Sequence, residues 1–426
     1  MKEEYTIMKE TKNLEFKEKI TNTFLKTVSA YANYDGGTII FGINDSGKIV
    51  GLSDIAKQSL AIENKINDSI KPQPLYSIIE NNKDNTISLI VKPGISKPYL
   101  YNSKAYKRND TSTIEVDNIE LKRLILEGNN VSFEELTSEQ QDLSFVVLER
   151  SLKEQKGIEN FNMDILKTLN LYFDASGYNN AAAILADNNT FPGIDIAVFG
   201  ETISIIKKRE TLEHKSIIQA YEESISIFRD YYSFEVIDGT KREKVETIPE
   251  AAFREAIANA IIHRLWDIKS QIRVSMFDNH IEIVSPGGLP TGISKDEYIE
   301  GRVSILRNPI LANVFNRLNY VETFGTGIRR IREAYSNSSS KPIFDVSDNT
   351  IQVVLPVFAY GLNLTPDETI VYNILSKTKA KPISEIMASP TLTFGKSKVT
   401  ELLKSMADRN VVLIEGNGKG TKYRVK

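Results

Sequence analysis

Ala30-Tyr31-Ala32-Asn33-Tyr34-Asp35-Gly36-Gly37-Thr38-Ile39-Ile40-Phe41-Gly42-Ile43-Asn44-Asp45 changes its period in the middle. Upstream of the turn, Phe16 to Ala32 places Ile20, Phe24, Leu25 and Val28 at helical spacing. Asn33 to Gly37 closes that helix, and the β-branched and aromatic run Thr38 to Ile43 reads as a strand. Asn44-Asp45-Ser46-Gly47 then turns the chain into a short strand, Lys48 to Leu52. An amphipathic helix over Ile55 to Ile70, strands at Tyr76 to Ile79 and Ile87 to Val91, and a helix over Ile119 to Leu126 complete an α/β block, residues 1–130. Asn129, Asn130 and the acidic stretch to Asp142 read as a linker.

Beyond the linker the pattern implies further domains, as 426 residues exceed what one hydrophobic core organises. Residues 143–250 form a connecting region with helices at Phe145 to Lys153, Ile165 to Leu169, Asn180 to Leu185 and Ile217 to Tyr232, and a strand at Ile194 to Phe199. Residues 251–360 contain a strong helix, Glu250 to Arg264, two strands at Ile272 to Phe277 and His280 to Ser285, and a last strand, Ile351 to Phe358. Residues 364–426 carry three helices, Pro366 to Ser376, Ile383 to Ala388 and Lys396 to Arg409, then a hairpin of Val411 to Ile414 and Lys422 to Val425. Three helices followed by a two-stranded wing is the winged helix-turn-helix order. The fold class is therefore α/β (α+β), multidomain.

Composition narrows the chemistry. The absence of cysteine excludes disulfides, cysteine-ligated zinc and thiol catalysis, and three histidines leave metal binding mainly to carboxylates, which favours Mg²⁺ or Mn²⁺. Met1 to Glu10 has no apolar signal core, and no apolar run approaches the roughly 20 residues that span a bilayer; no membrane partner and a cytoplasmic location are expected. The net charge of −3 argues against a wholly basic coat. The last 31 residues differ: eight cations (Lys396, Lys398, Lys404, Arg409, Lys419, Lys422, Arg424, Lys426) against Glu401, Asp408 and Glu415 leave five excess positive charges, as a phosphate-facing surface would.

Leu14-Glu15-Phe16-Lys17, if extended, puts Glu15 and Lys17 on one face and Leu14 and Phe16 on the other. With Glu10 five residues before and Asp45 after the glycine-rich strand, three carboxylates and a lysine could hold a divalent cation for phosphodiester cleavage. The same residues also suit a surface ion pair and a turn-capping aspartate. Cleavage requires Glu10, Glu15 and Asp45 to converge on one cation.

Glu10-Thr11-Lys12-Asn13-Leu14-Glu15-Phe16-Lys17 resembles the Glu-x4-Glu-Phe-Lys opening of Schlafen AlbA_2 domains, in their bacterial type, and Ala30 to Asp45 resembles that family's Ala-x-Ala-Asn-x-x-Gly-Gly core. Tyr106-Lys107-Arg108-Asn109 resembles a later family segment, so the similarity covers about residues 8 to 125. In the family's ribonucleases the matching acids make the cleavage site; the resemblance assigns Glu10, Glu15 and Asp45 as metal ligands, with Lys17 beside them as a catalytic cation. Other members only bind nucleic acid. Lys107 and Arg108 are expected to contact phosphate, after an exposed Tyr106, or to lie in a solvated charged loop.

On the helix Glu250 to Arg264, Glu255, Asn259 and His263 recur at i, i+4 and i+8 and share a face. The Glu-x3-Asn spacing is similar to that of ATPases of the gyrase, MutL and histidine-kinase class, GHKL-like, in which the glutamate can activate water and the asparagine binds the Mg²⁺ of ATP. Gly325-Thr326-Gly327, after Phe324, resembles that class's second glycine box, Gly287 and Gly288 fall in a counterpart of the first, and Arg307-Asn308-Pro309 opens a lid-like segment. Where the first box normally begins with an adenine-reading aspartate, this chain offers Ser285. A helix polar on its solvent face and an ordinary glycine turn would give the same pattern, and His263 suits a structural hydrogen bond as well as a phosphate contact.

Lys396, Lys398 and Lys404 on the third C-terminal helix, with Lys419, Lys422 and Arg424 on the wing, fit phosphate contacts; winged helices also bind proteins. Two functions follow, a third, a working ATPase, being disfavoured by the missing aspartate. One is a metal-dependent endonuclease, with RNA favoured, using Mg²⁺ or Mn²⁺ and controlled by a domain that takes ATP with Mg²⁺. The other is a non-enzymatic, ATP-responsive DNA-binding regulator. Pairing into a homo-oligomer is expected because ATPase-like domains of this type often pair.

Overall fold

The strand Leu14–Lys17 lies parallel to Gly37–Phe41, setting Glu15 opposite Ile39 and Phe16 opposite Ile40. The computed structural model describes residues 9–238, 241–290, 292–302, 305–321, 325–336, 338, 340–358, 364–376, 379–409, 411–416 and 418–425. The chain forms two compact units, Met1–Phe133 and Glu134–Lys426.

In the first unit a four-stranded sheet runs in the order Leu14–Lys17, Gly37–Phe41, Thr86–Val91, Tyr76–Asn81. The helices Phe24–Asn33 and Ile55–Ser69 accompany it, with Phe24, Val28, Ile39, Phe41, Ile62, Ile66, Ile87 and Leu89 in one core. The helix expected from Phe16 begins only at Phe24. Leu14–Lys17 instead completes its backbone hydrogen bonds in the sheet, burying Phe16. Lys48 to Leu52 contributes a single bridge, Ile43 to Ile49, rather than a strand. Tyr106–Asn109, expected as a loop, is a strand hairpinned to Ser112–Glu115. Its alternation buries Tyr106 and Arg108 together, correcting the expectation of an exposed aromatic.

The second unit holds a six-stranded sheet: Ile206–Leu212, Ile194–Phe199, Ile272–Met276, His280–Pro286, Thr350–Pro356, Ile343–Val346. Ile194–Phe199 runs parallel to Ile272–Met276 and every other pair is antiparallel. The domain boundary expected at 250/251 thus cuts through one sheet, because a strand before it pairs with a strand after it. The helix Glu250–His263 buries Ala252, Phe253, Ala256, Ile257, Ala260 and Ile261, and Ser285 on the sheet donates to the Ala260 carbonyl at 2.9 Å. The hairpin Ser233–Asp238 with Lys241–Glu246 was not anticipated from the sequence.

The C-terminal residues of this unit form helices Pro366–Ile374, Ile383–Met387 and Lys396–Asp408 and a sheet of Lys381–Pro382, Lys422–Val425 and Val412–Glu415. Val371, Ile386, Val399, Leu403, Met406 and Val412 give this block its own core. No described helix is long and apolar enough to cross a membrane.

Candidate functional site

A cleft in the second unit brings together residues that are up to 96 positions apart, from Glu255 to Ile351. Glu255, Asn259 and His263 line it from the helix Glu250–His263, and Gly325 and Gly327 line it from the start of the helix Gly327–Ala334. It is open to solvent, with Tyr298, Leu306, Ala312 and Ile328 among its apolar walls. Asn259 donates from Nδ2 to Glu255 Oε1 at 3.3 Å. Gly327 lies directly on this pair: a methyl group there would stand 2.5 Å from both Asn259 Nδ2 and Glu255 Oε1. Only a glycine lets the helix N-terminus approach two polar side chains so closely. Among the described residues, the buried Thr326 hydroxyl oxygen has no hydrogen-bond partner. Phe324, expected to precede the glycines, lies outside the described residues.

His263 is held neutral. Burial, and then the nearby Arg307 guanidinium, lower its pKa to about 4. It therefore faces the cleft as an uncharged ring, unsuited to act as a cation toward phosphate at neutral pH.

The remaining expected nucleotide residues do other work. Gly287 and Gly288 are not lining residues of the cleft. A methyl group on Gly288 would meet the Asp348 carbonyl oxygen at 2.4 Å, and on Gly287 would meet Leu265 and Arg307, so packing requires both glycines. Ser285 is buried and bonded to the helix backbone, where it holds the sheet to the helix instead of reading a base. Arg307 donates to the carbonyls of His263 (2.6 Å) and Gly288 (2.9 Å), and Asn308 to those of Ile262 (2.7 Å) and Arg264 (3.0 Å). The segment expected as a lid opening is thus a clasp over the end of the Glu255 helix, satisfying its terminal carbonyls.

The acidic constellation of the first unit is arranged differently. Glu15 is 4% exposed, and its own chain occupies both oxygens. Lys17 Nζ lies 2.5 Å from Oε1, Arg108 Nη1 pairs closely with Oε2, and Thr27 donates to Oε2 at 2.9 Å. Arg108 also donates to Thr113 at 2.8 Å, and its guanidinium lies over the Tyr31 ring at 5.8 Å. Glu10 Oε1 accepts the Phe16 amide at 2.8 Å. Asp45 is exposed in a turn organised by Asn44, whose side chain accepts from Ser46 and Lys48. Among the described residues no three His, Asp or Glu side chains gather to hold a metal ion. Glu10, Glu15 and Asp45 do not fit a divalent cation in this arrangement, because the chain's own cations already neutralise the central carboxylate. Thr27 and Thr113 were missed by sequence reasoning; Arg108 was legible only through the alternation that puts it on the buried face with Tyr106.

Of the other expected phosphate contacts, Lys107 is partly exposed and pairs with Glu120 at 2.5 Å, and Arg108 is buried. Lys396, Lys404 and Lys422 are exposed. Lys398, also exposed, pairs with Asp367 and stands 4.5 Å from the Phe394 ring centroid, and Arg424 pairs with Glu415 at 2.5 Å. The Lys419 side chain lies outside the described residues.

Residues 10–117 match the family model described as Schlafen, AlbA_2, and residues 269–355 match that described as Putative ATP-dependent DNA helicase recG C-terminal. The first match holds Glu10, Glu15, Asp45 and Arg108; the second holds Gly287, Gly288 and Gly325 to Gly327 and begins just after the Glu255 helix. Among solved structures, the DIP2311 protein from Corynebacterium diphtheriae is 18% identical over 97% of this chain and 92% of its own, with a TM-score of 0.48. The N-terminal domain of a putative ATP-dependent DNA helicase RecG-related protein from Nitrosomonas europaea is 20% identical over 25% of this chain and 79% of its own, with a TM-score of 0.18. No curated protein matches the chain.

Proposed function

We propose that this chain is a nucleic-acid-binding protein whose binding responds to a nucleotide held in the second unit, and that it works without cleaving its target. The observation that carries this is the stacking of Gly327 on Glu255 and Asn259 at the wall of one cleft. A helix N-terminus without a side-chain cap, an orphaned Thr326 hydroxyl and two hard oxygen donors is a chemistry suited to a phosphate chain and its Mg²⁺. Asn259 and Glu255 would hold the ion, which would supply charge neutralisation of the phosphates; Gly325 to Gly327 would offer backbone amides. With Ser285 engaged by Ala260, no side chain of the first glycine segment is left to select adenine, so the base is read weakly.

Nucleic acid is assigned to two surfaces. The first unit matches an AlbA_2 family model, and the C-terminal block has the element order of a winged helix-turn-helix, with Lys396 and Lys404 exposed on its third helix and Lys422 on the wing. Metal-dependent endonuclease action is not part of the proposal, since Glu15 is neutralised by Arg108 and Lys17.

The test pairs two measurements. Titration with a fluorescent ATP analogue and Mg²⁺ should give saturable binding that Asn259→Ala weakens more than tenfold. Incubation of labelled tRNA, single-stranded RNA and DNA with Mn²⁺ should leave all three intact with wild type and with Glu15→Ala. Cleavage that disappears in Glu15→Ala would replace this reading with the nuclease one.

A further inference from the structure

We infer that Glu134, the first residue of the second unit, is a positioning residue for the nucleotide cleft, acting through the clasp that closes the Glu255 helix. This rests on the cleft being the nucleotide site. The helix Pro309–Arg317 begins with an unusual problem. Its first amides need acceptors, and its N-cap residue, Asn308, makes no side-chain cap bond. Its Nδ2 donates instead to the Ile262 and Arg264 carbonyls, which ties the side chain to the end of the Glu255 helix.

Glu134 supplies the missing cap from 176 residues away. Its Oε1 accepts the Ile310 amide at 2.5 Å and its Oε2 the Leu311 amide at 3.0 Å, and the residue is 0% exposed. Pro309 has no amide to satisfy, so these are the first two that need an acceptor. Burial pushes the Glu134 carboxyl up to about 8, with the two amides opposing that rise. A carboxyl buried at such cost, and bonded only where the clasp begins, holds something that the helix alone does not fix.

What it holds continues into the cleft. Immediately before the capped amides, Arg307 and Asn308 grip three successive carbonyls, Ile262 to Arg264, at the end of the helix that carries Glu255, Asn259 and His263. One turn after them, Ala312 lines the cleft itself. Releasing Glu134 therefore loosens one wall and the end of the helix bearing the other.

The experiment compares four proteins by titration with the fluorescent ATP analogue and Mg²⁺, alongside their melting temperatures. Glu134→Ala leaves both amides without an acceptor and should weaken binding about tenfold; Glu134→Gln keeps one acceptor and should fall between it and wild type. Asn189→Ala is the control for a merely structural loss: its amide bonds to the Ile184, Ala186 and Lys215 carbonyls, none of which lines the cleft. It should lower the melting temperature and leave affinity within twofold. Glu134→Ala binding as tightly as Asn189→Ala would overturn the inference. Asn259→Ala, run in parallel, separates the two ideas: if it binds like wild type, the nucleotide reading itself fails, whatever Glu134 does.

Discussion

Two buried glutamates sit at the centre of the two units, and they are answered in opposite ways. Glu15 meets a guanidinium, an ammonium and a hydroxyl from its own chain, so its charge is spent inside the fold. Glu255 stands at the wall of a cleft beside an asparagine amide and the start of the helix Gly327–Ala334. Carboxylates at positions that resemble functional motifs are therefore not equivalent. Glu15 is held by side chains of the fold, whereas Glu255 lines a cleft, which is why the proposed function is built on the second and not the first.

Breaking the contrast on the first side should produce the largest effect. Arg108→Met removes the buried partner of Glu15 and leaves Lys17 and Thr27 to hold it; breaking one side of a buried pair costs up to about 3–5 kcal/mol. Urea denaturation of the full chain should show the first unit losing stability on that scale; a loss under about 1 kcal/mol would mean that the pair is not what holds this region. Next comes the second side. Gly327→Ala drives a methyl group into Asn259 and Glu255, and should cut affinity for the ATP analogue by more than tenfold with a small change in melting temperature. Unchanged affinity would place the nucleotide elsewhere.

A smaller effect concerns His263. Its pKa is lowered to about 4 in the folded protein from an ordinary 6.5, so the unfolded chain takes up the proton first. Its stability contribution is complete above about pH 6.5 and is lost as pH falls toward 4. His263→Gln should lose less stability than wild type between those values, measured by melting temperature against pH. Glu134 runs the other way. Its carboxyl is raised from 4.5 to about 8, so its contribution is complete below about pH 4.5 and is lost as pH rises through 8. Glu134→Gln should flatten the alkaline limb; a limb as steep as that of wild type would assign it to another group.

How much of this the sequence carried depends on the range of the interaction concerned. The helix Glu250–His263 and the strand Ile194–Phe199 were legible because burial imposes its period on consecutive residues. Ile206–Leu212 was not: it is an edge strand, Ile-Lys-Lys-Arg-Glu-Thr-Leu, whose exposed faces impose no apolar alternation and whose pairing comes from a neighbour. The grouping of Glu255 and Asn259 followed from helical spacing, and the glycine segment joined them through resemblance. The partners of Glu15 and Glu134 did not follow, since Arg108 lies 93 residues from the first and Ile310 lies 176 from the second. Only folding sets such distances, and it turned an expected metal ligand into an ion-paired core residue.

The most direct measurement is a titration of labelled DNA and RNA at fixed salt, with and without the ATP analogue and Mg²⁺, for wild type and Asn259→Ala. Wild type should change its nucleic-acid affinity at least threefold on adding nucleotide, and Asn259→Ala should not respond. Equal wild-type affinity in both conditions, with the cleft shown to be loaded, would contradict the account.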